Sequence, residues 1–535
     1  MLASCHFLHA AGRFPESATG NLNTHTLFFD LFRQVLADRG GAGIIVPSGL
    51  ATNEGTSDLF GSVIRTGLLR RFLDCENRKV FFPAVHSSAR FALVTLGYGT
   101  SKHDAPEFGF FLEDITDLDD SERVFPLDIA DLEAVNPNTL TCPTFRTRHS
   151  AELVKAIHRR CQIIIPEHVP GEWKASSSRM FDMSYESGDF SRQRAEGHVP
   201  LYEGKMVAQF NHRAASVVIN PNNAARQAQS LPSTPQQLRD PYFVPNTQYW
   251  VPTALIDGKI SDKWLKQWLL SFCGVTSSTN ERTCIIVATP CVGAGNSLLQ
   301  IYGEFTAQEG TCLLANLNTL ALDYVLREKM GGINLNHFIF RQLPVVSRKT
   351  YDEPCPWAGP QSTLKPSTPL KVWLLPRVLE LTYTAWDLEP FAQDCGWPGP
   401  PFRWNEDRRF VLRCELDAAF FHLYLPAETN GDWRRVEGET EENLARLKAG
   451  FPSPRDGVAY IMDSFPIVRR KDEEKHNGDY RTKRVILELY DAIAESIRTG
   501  EPYRTLLEPP PADPRCCHPS RGDRTPNLES VEAGK

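Results

Sequence analysis

The chain lacks the charge surplus that coats nucleic acid. Its 58 lysines and arginines stand against 65 aspartates and glutamates, a net charge of −7. A histone-like positive coat is excluded; a local basic groove is not. No apolar run approaches the roughly 18 residues that a membrane span requires. The N-terminal MLASCHFLHAAGRFPES has no basic region followed by a long apolar stretch, as a secretory signal would. None of the 13 cysteines forms a Cys-x-x-Cys pair, so a structural zinc site has no support and no metal site is expected. Scattered thiols in odd number fit a reducing compartment, and a cytoplasmic location is the expectation. No internal repeat is visible.

What is present is a globular composition, 41% hydrophobic, 23% charged and 10% aromatic, in 535 residues. That length suggests about three domains at roughly 150 residues each. In LNTHTLFFDLFRQVLADRG, Leu27, Phe28, Leu31, Phe32, Val35 and Leu36 recur at helical spacing and Gly40 closes the segment. AGIIVPSG predicts a strand, EGTSDLFGSVIRTG a helix, and LLRRFLD and RFALVTLG two further strands close enough to return on each other. This alternation predicts an α/β sheet. Residues 100–145 are acidic and turn-rich and read as a linker or hairpin insertion; 146–345 read as short strands in a mixed region. Residues 349–369 read as a Pro/Ser-rich linker and 370–508 as mostly helical. From residue 509 the sequence has too few apolar residues to fold and reads as a disordered tail.

Several segments, in this order, resemble a known family. They are GRFPESATGNLNTHTLFFDLF, GAGIIVPSGLAT, CENRKVFFPAVHSSARFALVTL, LYEGKMVAQFNHR, STNERTCIIVAT, LDYVLREKMGGINLNHFIFRQLPV and RRFVLRCELDAAFFHLY. Together they are similar to the C-terminal half of large adenine-specific DNA methyltransferases of type IIG restriction-modification and phage-defence systems. The resemblance implies S-adenosyl-L-methionine as cofactor, double-stranded DNA as partner, and methyl transfer to adenine N6. It divides the chain into a catalytic-domain remnant (1–125), a target-recognition region (126–348), a linker (349–369), a helical region (370–508) and a tail (509–535). The fold it implies is a partial Rossmann-like sheet, then an α+β recognition domain, then helices.

The family's Phe-x-Gly-x-Gly cofactor turn and Asn-Pro-Pro-(Phe/Tyr) loop are absent. Such a loop accepts the two N6 hydrogens of a flipped adenine and so raises the nucleophilicity of a nitrogen whose lone pair is delocalised into the ring. GPPF, residues 399–402, has no asparagine amide, and CVGAGNSL, residues 291–298, lies far downstream of the alternating elements. No catalytic or cofactor-binding residue is therefore expected within the chain. An N-terminal methyltransferase half encoded upstream is the expected partner, and the chain alone is expected not to methylate. Two other readings stay open: a stand-alone DNA-binding specificity module, and an inactive degenerate product.

Within that frame Lys205, His212 and Arg213 are candidate DNA contacts, cations for phosphates and the imidazole for a base edge or backbone. Against this stands a strand and turn whose Glu203 and Lys205 pair with each other. Arg282 could fork onto a phosphate or cap a helix. Arg146 and Arg148 open FRTRHSAELVKAIHRR, either a phosphate-tracking helix or a solvated basic face. Phe82 and His86 could border a flipped base or simply pack a hairpin on the sheet. Ile44, Ile45 and Val46 are expected to form a strand with an unpaired apolar edge.

Overall fold

A computed structural model describes residues 2–18, 22–79, 81–97, 105–223, 227–359 and 368–521. Mixed α/β architecture runs through them. The N-terminal sheet comprises β1 (Gly41–Pro47), β2 (Leu69–Glu76), β3 (Arg90–Gly97), β4 (Glu107–Leu112) and β5 (Val124–Pro126). Their order across the sheet is β1-β3-β2-β4-β5. Strand β3 runs antiparallel to both β1 and β2, so those two are parallel to each other, and β4 is parallel to β2. The helix Ser57–Arg65 covers the sheet by burying Leu59, Phe60, Val63 and Ile64, apolar positions at helical spacing. Phe60 meets Phe72 of β2 edge to face at 5.9 Å.

Of the two readings of residues 100–145, linker or hairpin insertion, the described residues from 105 onward take the second, with β4 and β5 paired antiparallel. Phe108 and Phe110 of β4 are fully buried, and β4 and β5 extend the sheet by two strands. Acidic residues dominate the turn between them because Asp114 caps the Ile115–Asp119 turn; the apolar strand residues sit on either side of that acid run.

Among the described residues β1 pairs only with β3, which leaves its other edge open. Ile45 on that strand is 60% exposed, and the neighbouring helix Thr24–Val35 exposes Phe28, Phe32 and Val35 while Phe29 points inward. The two exposed rings lie 6.3 Å apart, one helical turn from each other. An apolar helix face beside an open strand edge is unusual for a surface left to water.

Beyond residue 160 an antiparallel sheet follows the order Ile286–Pro290, Trp268–Cys273, Leu298–Gly303, Ala175–Ser178. A smaller sheet sets His198–Tyr202 between Trp250–Pro252 and Gly293–Ala294. Helices Ala307–Leu317 and Leu320–Lys329 are buried nearly all round. They carry helices Leu370–Thr382, Glu406–Tyr424 and Arg481–Thr499, and one continuous apolar core joins all of these elements. Tyr351, Cys355 and Trp357, at the head of the Pro/Ser-rich segment, belong to that core; residues 360–367 lie outside the described residues.

The C-terminal segment differs from its expected disorder as far as residue 521. Cys517 is buried and bridges Phe402, the His518 amide donates to the Pro401 carbonyl at 2.8 Å, and Arg521 pairs with Glu389 at 3.0 Å while covering Trp386. Few large apolar residues are needed, because backbone hydrogen bonds and ion pairs dock the segment on a surface that the helices already supply. Residues 522–535 lie outside the described residues.

Candidate nucleic-acid interface

The carboxyl ends of the parallel strands β1, β2 and β4 meet at one rim, the edge of an α/β sheet where ligands bind. The buried Asp74 organises it. Its carboxylate accepts from Ser48 Oγ, from the Arg90 guanidinium and, at 3.3 Å, from the Phe111 amide. Arg90 also donates to the Gly331 carbonyl at 2.5 Å, tying the sheet to the Gly331–Asn336 loop. A cavity of about 380 Å³ opens here, lined by Ser48, Asn53, Arg90, Gly331 and Asn336. Phe111 sits at a register irregularity with φ +52°, a conformation costly for a bulky side chain. Arg90 and Arg146 both lie over its ring, each guanidinium carbon 4.0 Å from the ring centre.

Phe82 and His86 stand on the β2–β3 loop at this same rim. Buried Asn77 shapes that loop: its amide donates to the carbonyls of Phe82 at 3.0 Å and Val85 at 2.8 Å, and its oxygen accepts from the Phe82 amide at 2.9 Å. Phe82 is 40% exposed with its ring 5.0 Å from Phe91, and the His86 Nδ1 shares a hydrogen bond with Ser88 at 2.8 Å. The loop is thus a built feature with an exposed aromatic.

The polar stretch 201–213 turns inward. Arg213 is fully buried, and its two terminal nitrogens donate to the carbonyls of Asp240, Phe243, Leu238 and Thr384 and to the Thr384 hydroxyl. His212 is 1% exposed and bonds Asp387 at 2.9 Å. Burial by itself would raise the Asp387 carboxyl; His212 and Arg213 beside it outweigh that and hold it below the usual carboxylate range. Gln209 donates to the carbonyls of Cys284 and Asn318. These side chains lock residues 209–213 to Thr384 and Asp387 and to the carbonyls of Cys284 and Asn318, and their burial leaves His212 and Arg213 no free edge for the phosphate or base contacts expected of them. Lys205 is half-buried and pairs with Glu203 at 3.0 Å, the internal pairing that the sequence allowed. Arg282 reaches Asp417 at 3.5 Å and stays partly accessible.

The helix Arg148–Arg160 starts at a Thr147 capping box. Most of its cations also face inward. Lys155 pairs with Asp131 and Glu152, and Arg160 with Glu439. Only the start of the segment is open: Arg146 and Arg148 are both exposed.

Sequence reasoning passed over a second exposed basic site. In the loop SRQRAEGH, Arg192 lies 6.0 Å from the Tyr249 ring centre and Arg194 lies 5.5 Å from that of Trp250. Reciprocal backbone hydrogen bonds between Ser191 and Trp250 hold the loop against these rings. Both arginines are exposed, and neither has a carboxylate partner among the described residues. A guanidinium stacked on an aromatic face keeps its N–H edge free for phosphate or a base. The signal was two arginines at i and i+2 with a Tyr-Trp pair far downstream; only the fold brings the two together.

The glycine-rich stretch 291–298 does not fit a cofactor. Gly293–Ala294 is a strand beside Leu201–Tyr202, and a Cβ on Gly293 would stand 2.7 Å from Val251. One on Gly295 would meet Met183 at 2.6 Å. These glycines permit close packing and leave no cradle for S-adenosylmethionine.

No family model and no curated protein matches the chain. Among solved structures it is similar to the type IIG restriction endonuclease BpuSI, at 10% identity over 74% of this chain and 51% of that one, TM-score 0.25. It is also similar to the type IIL restriction-modification enzyme MmeI, solved in complex with DNA, at 8% identity over 83% of this chain and 55% of that one, TM-score 0.31. The chain spans about half the length of each. No helix among the described residues is long and apolar enough to cross a membrane.

Proposed function

We propose that the chain is the DNA-recognition portion of an adenine-N6 DNA methyltransferase of a restriction-modification or phage-defence system. Its methyl-donor site and its Asn-Pro-Pro loop are supplied by another segment or chain. The observation that carries this reading is the N-terminal sheet. A helix, β1, a helix, β2 and β3 follow each other in the order that the resemblance implies for the end of a methyltransferase sheet, and the free edge of β1 lies where its preceding strand would pair. The rim at the carboxyl ends, with exposed Phe82 and a cavity of about 380 Å³, then faces the base to be modified.

Duplex DNA is held by exposed guanidiniums, chiefly Arg192 and Arg194 on their aromatic supports and Arg146 on Phe111. The test is an electrophoretic shift on mixed-sequence duplex across a salt series. Replacing Arg192 and Arg194 together by Ala lowers affinity at low salt and reduces the slope of log K against log salt by about two, roughly one per phosphate contact. Unchanged affinity and slope would remove this loop from the interface.

A further inference from the structure

A cavity of about 390 Å³ lies between the turn around Asn280 and the helix Glu406–Tyr424, and two guanidiniums, Arg282 and Arg413, line it beside the carboxylates of Glu281 and Asp417. Arg282 and Arg413 enter it from these two elements, and Thr482 lines it from a third. Arg282 meets Asp417 only at 3.5 Å, and its Nη1 is buried with no acceptor. The Arg413 side chain makes no hydrogen bond or ion pair with any described residue. Arg481, next to Thr482, lies over the Phe410 ring at 4.1 Å, outside the cavity lining, with Asp479 as the acid beside it.

The acids nearby are already engaged. Glu281 is taken by Lys471, and one Asp417 oxygen accepts the Leu320 amide at 2.6 Å. Arg282 and Arg413 therefore share Asp417, and the other acid acting on Arg413, Glu406, accepts from the Trp404 indole at 2.7 Å. Sinking unpaired like charges together is unfavourable unless an anion joins them. Burial, and then Arg282 beside it, push the Arg413 guanidinium below its usual range, the direction that such crowding gives.

We propose that this cavity binds a phosphate group. The fork of Arg413 and the partly accessible guanidinium of Arg282 supply charge-assisted donors to a tetrahedral oxyanion, and Asn280 and Thr482 offer neutral ones. The volume is in the range of small-ligand sites, roughly 300–1,000 Å³. It leaves room for the sugar or base that carries the phosphate. The source is a free nucleotide or a nucleic-acid strand, and the site does not depend on the methyltransferase reading.

The experiment is the thermal midpoint of the full chain with inorganic phosphate, with deoxyadenosine monophosphate, with a short DNA duplex, and with chloride at matched ionic strength. Wild type gains stability from a phosphate-bearing ligand beyond chloride, and Arg413→Gln abolishes that gain. Without ligand, Arg413→Gln leaves the midpoint unchanged or raises it, because it relieves repulsion with Arg282. Should that variant not fold, Arg413→Lys keeps the charge, loses the fork and must still lose most of the gain. A gain from the small ligands assigns the source to free nucleotide, and one from duplex alone to a strand. No gain beyond chloride, or a gain that survives in the Arg413 variants, overturns the proposal.

Discussion

Arg213→Met separates an internal lock from a DNA contact. In the folded chain Arg213 donates to four backbone carbonyls and one hydroxyl, at 2.7 Å to Asp240, 3.3 Å to Phe243, 3.0 Å to Leu238, and 3.0 and 3.1 Å to Thr384. At about 1 kcal/mol per hydrogen bond the gross loss is roughly 5 kcal/mol. Methionine fills much of the volume and removes the desolvation cost of a buried cation, so the net loss is about 3 kcal/mol. In a chain of this size, at roughly 2.1 cal/mol/K of unfolding entropy per residue, that lowers the apparent melting temperature by roughly 3 °C. The assay is a thermal melt followed by far-UV circular dichroism, read as an apparent midpoint because several regions melt together. In parallel, the DNA shift assay below the transition keeps its salt slope. A variant with an unchanged midpoint and a salt slope lower by about one would refute the lock and return Arg213 to the DNA face.

Deleting residues 513–535 lowers the apparent midpoint by an amount equivalent to about 1–3 kcal/mol, since it removes the Cys517–Phe402 bridge, the His518–Pro401 hydrogen bond and the Arg521–Glu389 pair; an unchanged melt would show that the segment does not dock. Acid destabilises the chain partly through His422. Burial pushes its imidazole down to about 4, so between pH 6.5 and 4 the unfolded chain takes up a proton that the folded chain refuses. Stability is therefore full above about pH 6.5 and declines below it. His422→Gln flattens that decline in midpoint against pH, and an identical slope would exclude His422 as the cause.

The alternating N-terminal elements were legible because each is local. The helical spacing around Phe29 and the runs GIIV and RFALVTL specify helix and strands without reference to the rest of the chain. β4 and β5 were legible only as one of two alternatives, a hairpin insertion: their residues are few and flank an acidic turn, and nothing local shows that β4 joins the sheet beside β2. The site was legible only in part. Nothing local distinguishes Arg213, which disappears into backbone carbonyls supplied by residues 238–243 and 384, from Arg194, which stays exposed on Trp250. Both are arginines in polar stretches, and the difference lies in what the fold brings alongside. The docked segment up to Arg521 escaped for the same reason, since its partners Pro401, Phe402 and Glu389 lie more than a hundred residues upstream.

The most direct test of the account is transfer of labelled methyl groups from S-adenosylmethionine to mixed-sequence duplex DNA. The 535-residue chain is assayed alone and with an added segment bearing the Phe-x-Gly-x-Gly turn and the Asn-Pro-Pro-Phe loop. The expected result is no transfer by the chain alone, transfer to adenine N6 when the segment is added, and loss of that gain in Ile45→Lys, which puts a charge on the exposed apolar face of the edge strand β1. Methylation by the purified chain alone, or no methylation with the segment docked on β1, would contradict it.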